Sequence, residues 1–142
     1  MNTHYTPGPA RTPGPDHFAP LATAGRVTQA EIMRVPEEAT GSEPGSLSDL
    51  ATKVVFGGLW NRPGLSVRER RIITLTVLAT LQSHQIDGQS HVMAALDRGD
   101  LTEAELREIA VQIAYYAGWP VATSFEWTVD KVTGTTSPVE DL

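Results

Sequence analysis

The stretch Ser66–Leu81, "SVRERRIITLTVLATL", decides the fold. It is rich in β-branched residues, yet it opens on Ser66 followed three residues later by Glu69 and runs too long for one strand. A hydroxyl N-cap with a carboxylate at N3 satisfies orphan N–H groups and suits the helix dipole, so the spacing predicts a helix over 66–82. Ile72, Ile73, Leu75, Val77, Leu78 and Leu81 cover nearly its whole circumference. A helix apolar all round must be buried on all sides, which one small domain can scarcely do. The pattern therefore predicts that subunits share it.

Outward from this helix the same signals recur. Ser46 precedes Asp49 and Thr102 precedes Glu105, each a cap at the start of an apolar-periodic run. Pro63-Gly64, Gly99 and Gly118 followed by Trp119-Pro120 mark helix ends. The expected helices are 46–57, 66–82, 86–98, 102–117 and 121–132, with no convincing strand, so the class is all-α. In 102–117 the residues Leu106, Ile109, Ala110, Ile113, Ala114 and Ala117 form one apolar stripe.

Residues 1–45 read differently. Five of the chain's ten prolines fall within the first twenty residues. Proline fixes φ and removes a donor, so this segment is expected as an extended or disordered arm outside the core. Thr28–Val35 forms a possible short helix stopped by Pro36. The tail 133–142 is polar and is expected to fray.

Composition bounds the function. The 142 residues fit one domain with material left over for a tail. A net charge of −6 argues against a nucleic-acid or anionic-membrane surface. No apolar run reaches the roughly 20 residues of a membrane span, and the N-terminus lacks the apolar core of a secretory signal, so a cytoplasmic protein is expected. Cysteine is absent, which removes thiolate chemistry and disulfides.

"HQIDGQSH" (His84–His91) concentrates two of the four histidines beside an aspartate. On a helix His84, Asp87 and His91 share a face, but i and i+7 lie about 10 Å apart along the axis, too far for one metal ion. No metal site is expected. Asp87 and His91, at i and i+4, could instead be an acid/base pair in which the carboxylate fixes the ring tautomer and raises its basicity. An exposed i, i+4 ion pair is the alternative. Arg70 and Arg71, within "RERR", read either as a solvated face or as a bidentate clamp for a substrate carboxylate. Tyr115, Tyr116 and Trp119 cluster at the end of 102–117 as core, interface or pocket lining.

"LWNRPGLSVRERRIITLTVLATL" (59–81) and "HVMAALDRGDLTEAELREIAVQIAYYAGWP" (91–120) resemble the gamma-carboxymuconolactone decarboxylase family, with the likeness running from Ser46 to Val132. The resemblance implies an all-helical subunit of the alkylhydroperoxidase D-like type, assembled as a homotrimer or homohexamer. It implies a decarboxylase without a cofactor, acting on a small carboxylated lactone or keto acid. It matches the family's histidine to His91, its arginine to Arg70, its Arg-Glu glutamate to Glu108, and its Tyr-Ala-Gly ending to Tyr116–Gly118. In peroxidase relatives with Cys-x-x-Cys-x-x-x-His, His84 and Asp87 occupy the cysteine places, so thiol peroxidase chemistry is excluded here. A glutamate that often follows the matched arginine is replaced by Arg71.

With that register, the expected catalytic set is His91 as acid/base, Asp87 orienting it, Arg70 as anion anchor, and Glu108. His84, Arg71, Tyr116 and Trp119 are expected to line the substrate pocket. The same equipment suits a cyclase or isomerase of a polyketide-like metabolite, and the fold also suits a non-catalytic oligomeric binding protein.

Overall fold

The computed structural model describes residues 8–9, 14–82 and 87–135, and every regular element among them is helical. Six helices follow in order: α1 Ala22–Met33, α2 Leu47–Leu50, α3 Val67–Thr80, α4 Gln89–Arg98, α5 Glu103–Ala117 and α6 Trp119–Thr133. No helix among these residues is long and apolar enough to cross a membrane.

The three predicted caps form. Ser66 Oγ accepts from the Glu69 amide at 3.1 Å while the Glu69 carboxylate accepts from the Ser66 amide at 2.7 Å. Thr102 and Glu105 close the same reciprocal box. Ser46 accepts from the Asp49 amide, but Asp49 itself turns to the Gly45 amide and Lys53. Gly99 ends α4 at φ +76°, a left-handed position that a side chain would strain. Gly118, at φ +107°, ends α5 and leads directly into α6, two residues earlier than expected, with Pro120 in the first turn where its missing N–H costs nothing.

The expected helix over 46–57 takes another form. It is α-helical only over Leu47–Leu50, widens into a π-helix over Ala51–Gly58, and tightens into a 3-10 turn at Leu59–Asn61. This widened stretch lies against α1. A Cβ on Gly25 would stand 2.2 Å from the Thr52 carbonyl oxygen, and one on Gly57 would stand 2.7 Å from that of Leu21. Only glycine lets the two backbones approach so closely. Thr52 Oγ1 donates to Gln29 Oε1 at 2.7 Å, and Lys53 binds both Asp16 and Asp49 at 2.6 Å.

Within the expected arm, helix α1 thus packs on the folded body, and the expected short helix over Thr28–Val35 is largely part of it. That helix begins at Ala22 and not at Thr28, because residues 22–33 pack on the π-helix along their length. Ile32, Phe56 and Trp60 form a buried cluster, with Met33 and Val67 beside it. The larger core joins α3 to α6 through Leu75, Ala79, Val92, Ala95, Leu106, Ala110, Ile113, Ala122, Phe125 and Val129. Fully burying the leucine, isoleucine, valine and phenylalanine side chains among them contributes about 1.5–3 kcal/mol each.

Helix α3 is buried on one side only. Leu75 and Ala79 enter the core, whereas Ile73, Val77 and Leu81 are 50, 48 and 68 % exposed in the single chain. The α5 stripe behaves as read at Leu106, Ala110 and Ile113, with Ile109 and Ala114 partly buried. Ala117, the last residue of the predicted stripe, is exposed.

Candidate active site

One position on α3 breaks the apolar pattern of the core: Arg71 is fully buried. An unpaired buried guanidinium would be strongly destabilising, so its surroundings must satisfy it. They do. Nε donates to Asp100 Oδ2 at 3.2 Å, Nη2 donates to the Ile32 carbonyl, and Nη1 lies 2.7 Å from His91 Nδ1. Met33 Sδ is 3.9 Å from Nη1, and the guanidinium carbon sits 5.2 Å from the centre of the Trp60 ring. Trp60 also stacks on His91, with ring centroids 6.1 Å apart and planes 16° from parallel.

Each partner is placed by a local feature of the chain. Trp60 ends the widened helix, and Ile32 and Met33 end α1. His91 lies in the first turn of α4, and Asp100 follows Gly99 in the turn to α5. Asp100 is shared, accepting from Arg98 Nε at 3.0 Å, while Arg98 Nη1 reaches Glu31 of α1 at 2.6 Å. A chain of alternating charges, Arg71–Asp100–Arg98–Glu31, therefore runs from the buried site to the surface.

Arginine can only donate, so His91 Nδ1 is the acceptor and the neutral ring carries its hydrogen on Nε2. Burial, reinforced by the neighbouring Arg71 charge, pushes the imidazole down to about 4. A histidine paired with a carboxylate would move the other way. At neutral pH His91 is thus a neutral ring with one donor, Nε2–H, which has no partner among the described residues. Such a ring suits stabilising a negative oxygen better than removing a proton.

The structure brings together only part of the expected constellation. Asp87 is exposed, and among the described residues no hydrogen bond or ion pair joins it to His91. Arg71 takes the orienting place expected of Asp87. It is fully buried and held from several sides. Arg70 points from a neighbouring flank of α3: its Nη2 donates to the Arg62 carbonyl at 3.0 Å, and its Nε is buried without a partner among the described residues. Glu108 lies elsewhere, with Arg68, Ile72, Glu105 and Gln112 around a recess of about 240 Å³ between α3 and α5. Tyr116 and Trp119 are 86 and 66 % exposed at the α5–α6 corner in the single chain. His84 lies outside the described residues. No group of three or more His, Asp or Glu placed to hold a metal occurs among the described residues.

Trp60, Asp100, Arg98 and the end of α1 were not singled out as site residues. Trp60 stands in the Leu-Trp opening of the motif, whereas nothing in the sequence pattern sets Asp100 apart. The burial of Arg71 had no signal in the sequence beyond its place in an otherwise apolar helix.

Residues 46–130 match the carboxymuconolactone decarboxylase family, and the chain belongs to it. Among curated proteins it is similar to the 4-carboxymuconolactone decarboxylase of Acinetobacter baylyi, with 30% identity over 57% of this chain and 59% of that protein. It is also similar to the nitrosuccinic acid decarboxylase of Metarhizium robertsii, with 33% identity over 51% of this chain and 49% of that protein. The chain thus spans about half to three-fifths of the length of these relatives. Helix α1, which supplies Ile32 and Met33 to the site, lies outside the matched segment.

Proposed function

We propose that this protein is a cofactor-independent decarboxylase. Its substrate is a small acid whose carboxylate sits one carbon from a group able to hold an electron pair, as in a carboxylated lactone, a β-keto acid or a nitro acid. Family membership and two relatives named as decarboxylases support the reaction class. The observation that carries the reading is the contact of buried Arg71 with half-buried His91.

Decarboxylation needs no general base. The carbon–carbon bond to the carboxylate breaks, CO2 leaves, and the bonding pair moves onto the neighbouring carbonyl or nitro group as an enolate or nitronate. Nε2–H of His91 donates to that oxygen as charge develops, inside a site made less polar by Trp60. Arg70 keeps the anion-anchoring role that the family register implies for it. A proton from solvent then reaches the carbon, since neutral His91 would have to become an imidazolate to supply it.

A cyclase or isomerase reaction would ask more of the site. A lactone isomerase moves a proton from one carbon to another, which requires a group that both accepts and returns it. With Nδ1 occupied by a cation and its pKa near 4, His91 is a poor shuttle. A non-catalytic binding protein would have no need of a buried cation held against an imidazole.

The test is mass balance. Isotope-labelled β-keto acids, carboxylated lactones and nitro acids are incubated with the protein, and CO2 is followed by mass spectrometry. One CO2 per substrate consumed is expected, with His91→Ala, which removes the donor, slowing turnover about 10²- to 10³-fold. A product of unchanged mass would establish isomerisation or cyclisation instead.

A further inference from the structure

The guanidinium of Arg71 could meet His91 in many poses. Its actual pose is set from behind. Asp100, whose side chain is only 8 % exposed, takes Nε, and the backbone carbonyl of Ile32 takes Nη2. Ile32 stands in the last turn of α1, where carbonyls carry the negative end of the helix dipole and favour a cation. With these two groups satisfied, Nη1 is the remaining donor arm, and it meets His91 Nδ1.

We propose that Asp100 and the C-terminal end of α1 are positioning groups: together they aim Arg71 so that it fixes the His91 hydrogen on Nε2. Arg71 is then a positioning residue and not a substrate anchor, and α1, outside the family segment, is a working part of the site. The kinetic part rests on the reading of His91 as the group at the reacting centre; the tautomer part does not.

Arg71 faces the His91 ring from α3. Behind Arg71 stand Asp100 from the turn after α4, Arg98 from α4 and Glu31 from α1. Asp87, on the ring's own side of the chain, is exposed and makes no bond to it among the described residues. A ring nitrogen's protonation state is set by what the other nitrogen binds, and here that partner is a fixed cation. Loss of the residue that orients a catalytic histidine is costly even when geometry survives, because the wrong tautomer appears.

The experiment uses the full chain labelled with 15N-histidine, read by long-range nitrogen–proton correlation NMR between pH 5.5 and 8. The wild type is expected to show His91 as a single Nε2–H tautomer that does not titrate across this range. Asp100→Asn should give a mixture of tautomers, and Asp100→Glu should partly restore the single form. Asp97→Asn, which removes only an exposed α1–α4 ion pair with Arg34, should leave the ring unchanged. In turnover, Asp100→Asn should lower kcat by about tenfold to a hundredfold with little change in KM.

A wild-type ring protonated on Nδ1 or doubly protonated in this range overturns the proposal, as does Asp100→Asn with an unaltered tautomer. Should Asp100→Asn fail to fold, the wild-type spectrum and Asp100→Glu still decide. If no variant turns over any substrate, the decarboxylase reading fails while the tautomer assignment stands or falls on the spectra.

Discussion

Nη1 of Arg71 lies 2.7 Å from Nδ1 of His91, and both groups are enclosed beside Trp60. A carboxylate behind a histidine makes it a better base. A cation in the same place keeps it neutral, commits its hydrogen to the far nitrogen, and makes it a donor. In this chain that place is taken by Arg71, which puts a positive charge beside the ring.

Stability should record that field independently of function. The folded chain holds His91 at about 4, whereas an ordinary histidine stands at 6.5. Between those values the unfolded chain binds a proton that the folded chain refuses, so stability is full above pH 6.5 and falls as the pH drops towards 4. The loss amounts to about 3 kcal/mol across the window. Asp16 and Asp49, both held low first by hydrogen bonds from Lys53, act below their ordinary 3.8 and leave most of the window clear. Denaturant unfolding from pH 4.5 to 7 should show this slope in the wild type and a flatter one in His91→Gln.

The contact between α1 and the π-helix should tolerate no side chain at position 25. A Cβ there meets the Thr52 carbonyl at 2.2 Å, a backbone atom that cannot swing away. Gly25→Ala would gain about 1 kcal/mol of helix propensity but lose more to overpacking, about 1–3 kcal/mol. Because the displaced helix carries Ile32, the same variant should disturb the His91 tautomer. Thermal unfolding and the NMR experiment together check this, and an alanine variant as stable as the wild type would contradict the packing.

The exposed side of α3 should find a partner. Ile73, Val77 and Leu81 form an apolar flank, and Tyr115, Tyr116 and Trp119 stand out at the α5–α6 corner. We propose that these residues meet other copies of the chain in a homotrimer or homohexamer. Light scattering on the eluting protein should give three or six times the 15.3 kDa chain mass. Leu81→Asp should lower the assembly state without removing the α3–α6 core. A wild-type monomer at micromolar concentration would contradict this.

Much of the fold could be read directly. Three hydroxyl caps and the glycines at 99 and 118 marked starts and stops, because they act through local hydrogen bonds and backbone conformation. The π-helix could not be read, since it lies against α1 through close approaches at Gly25 and Gly57, contacts between distant segments. For the same reason only part of α1 was read, as a possible short helix over Thr28–Val35, where twelve residues form it. At the site, His91 stood out by residue type and family register. Its partner did not, because spacing along one helix favours Asp87, whereas the fold brings Arg71 from twenty residues away.

The pH dependence of decarboxylation tests the central claim most directly. Between pH 5 and 8, kcat/KM for a substrate whose own carboxyls are fully ionised should show no limb belonging to His91, because the ring stays neutral throughout. His91→Gln, which keeps an N–H donor, should retain that flat profile at a reduced rate. A limb with an apparent pKa near 6.5 in the wild type that disappears in His91→Gln would contradict the account, since His91 would then be working as a proton-transfer group.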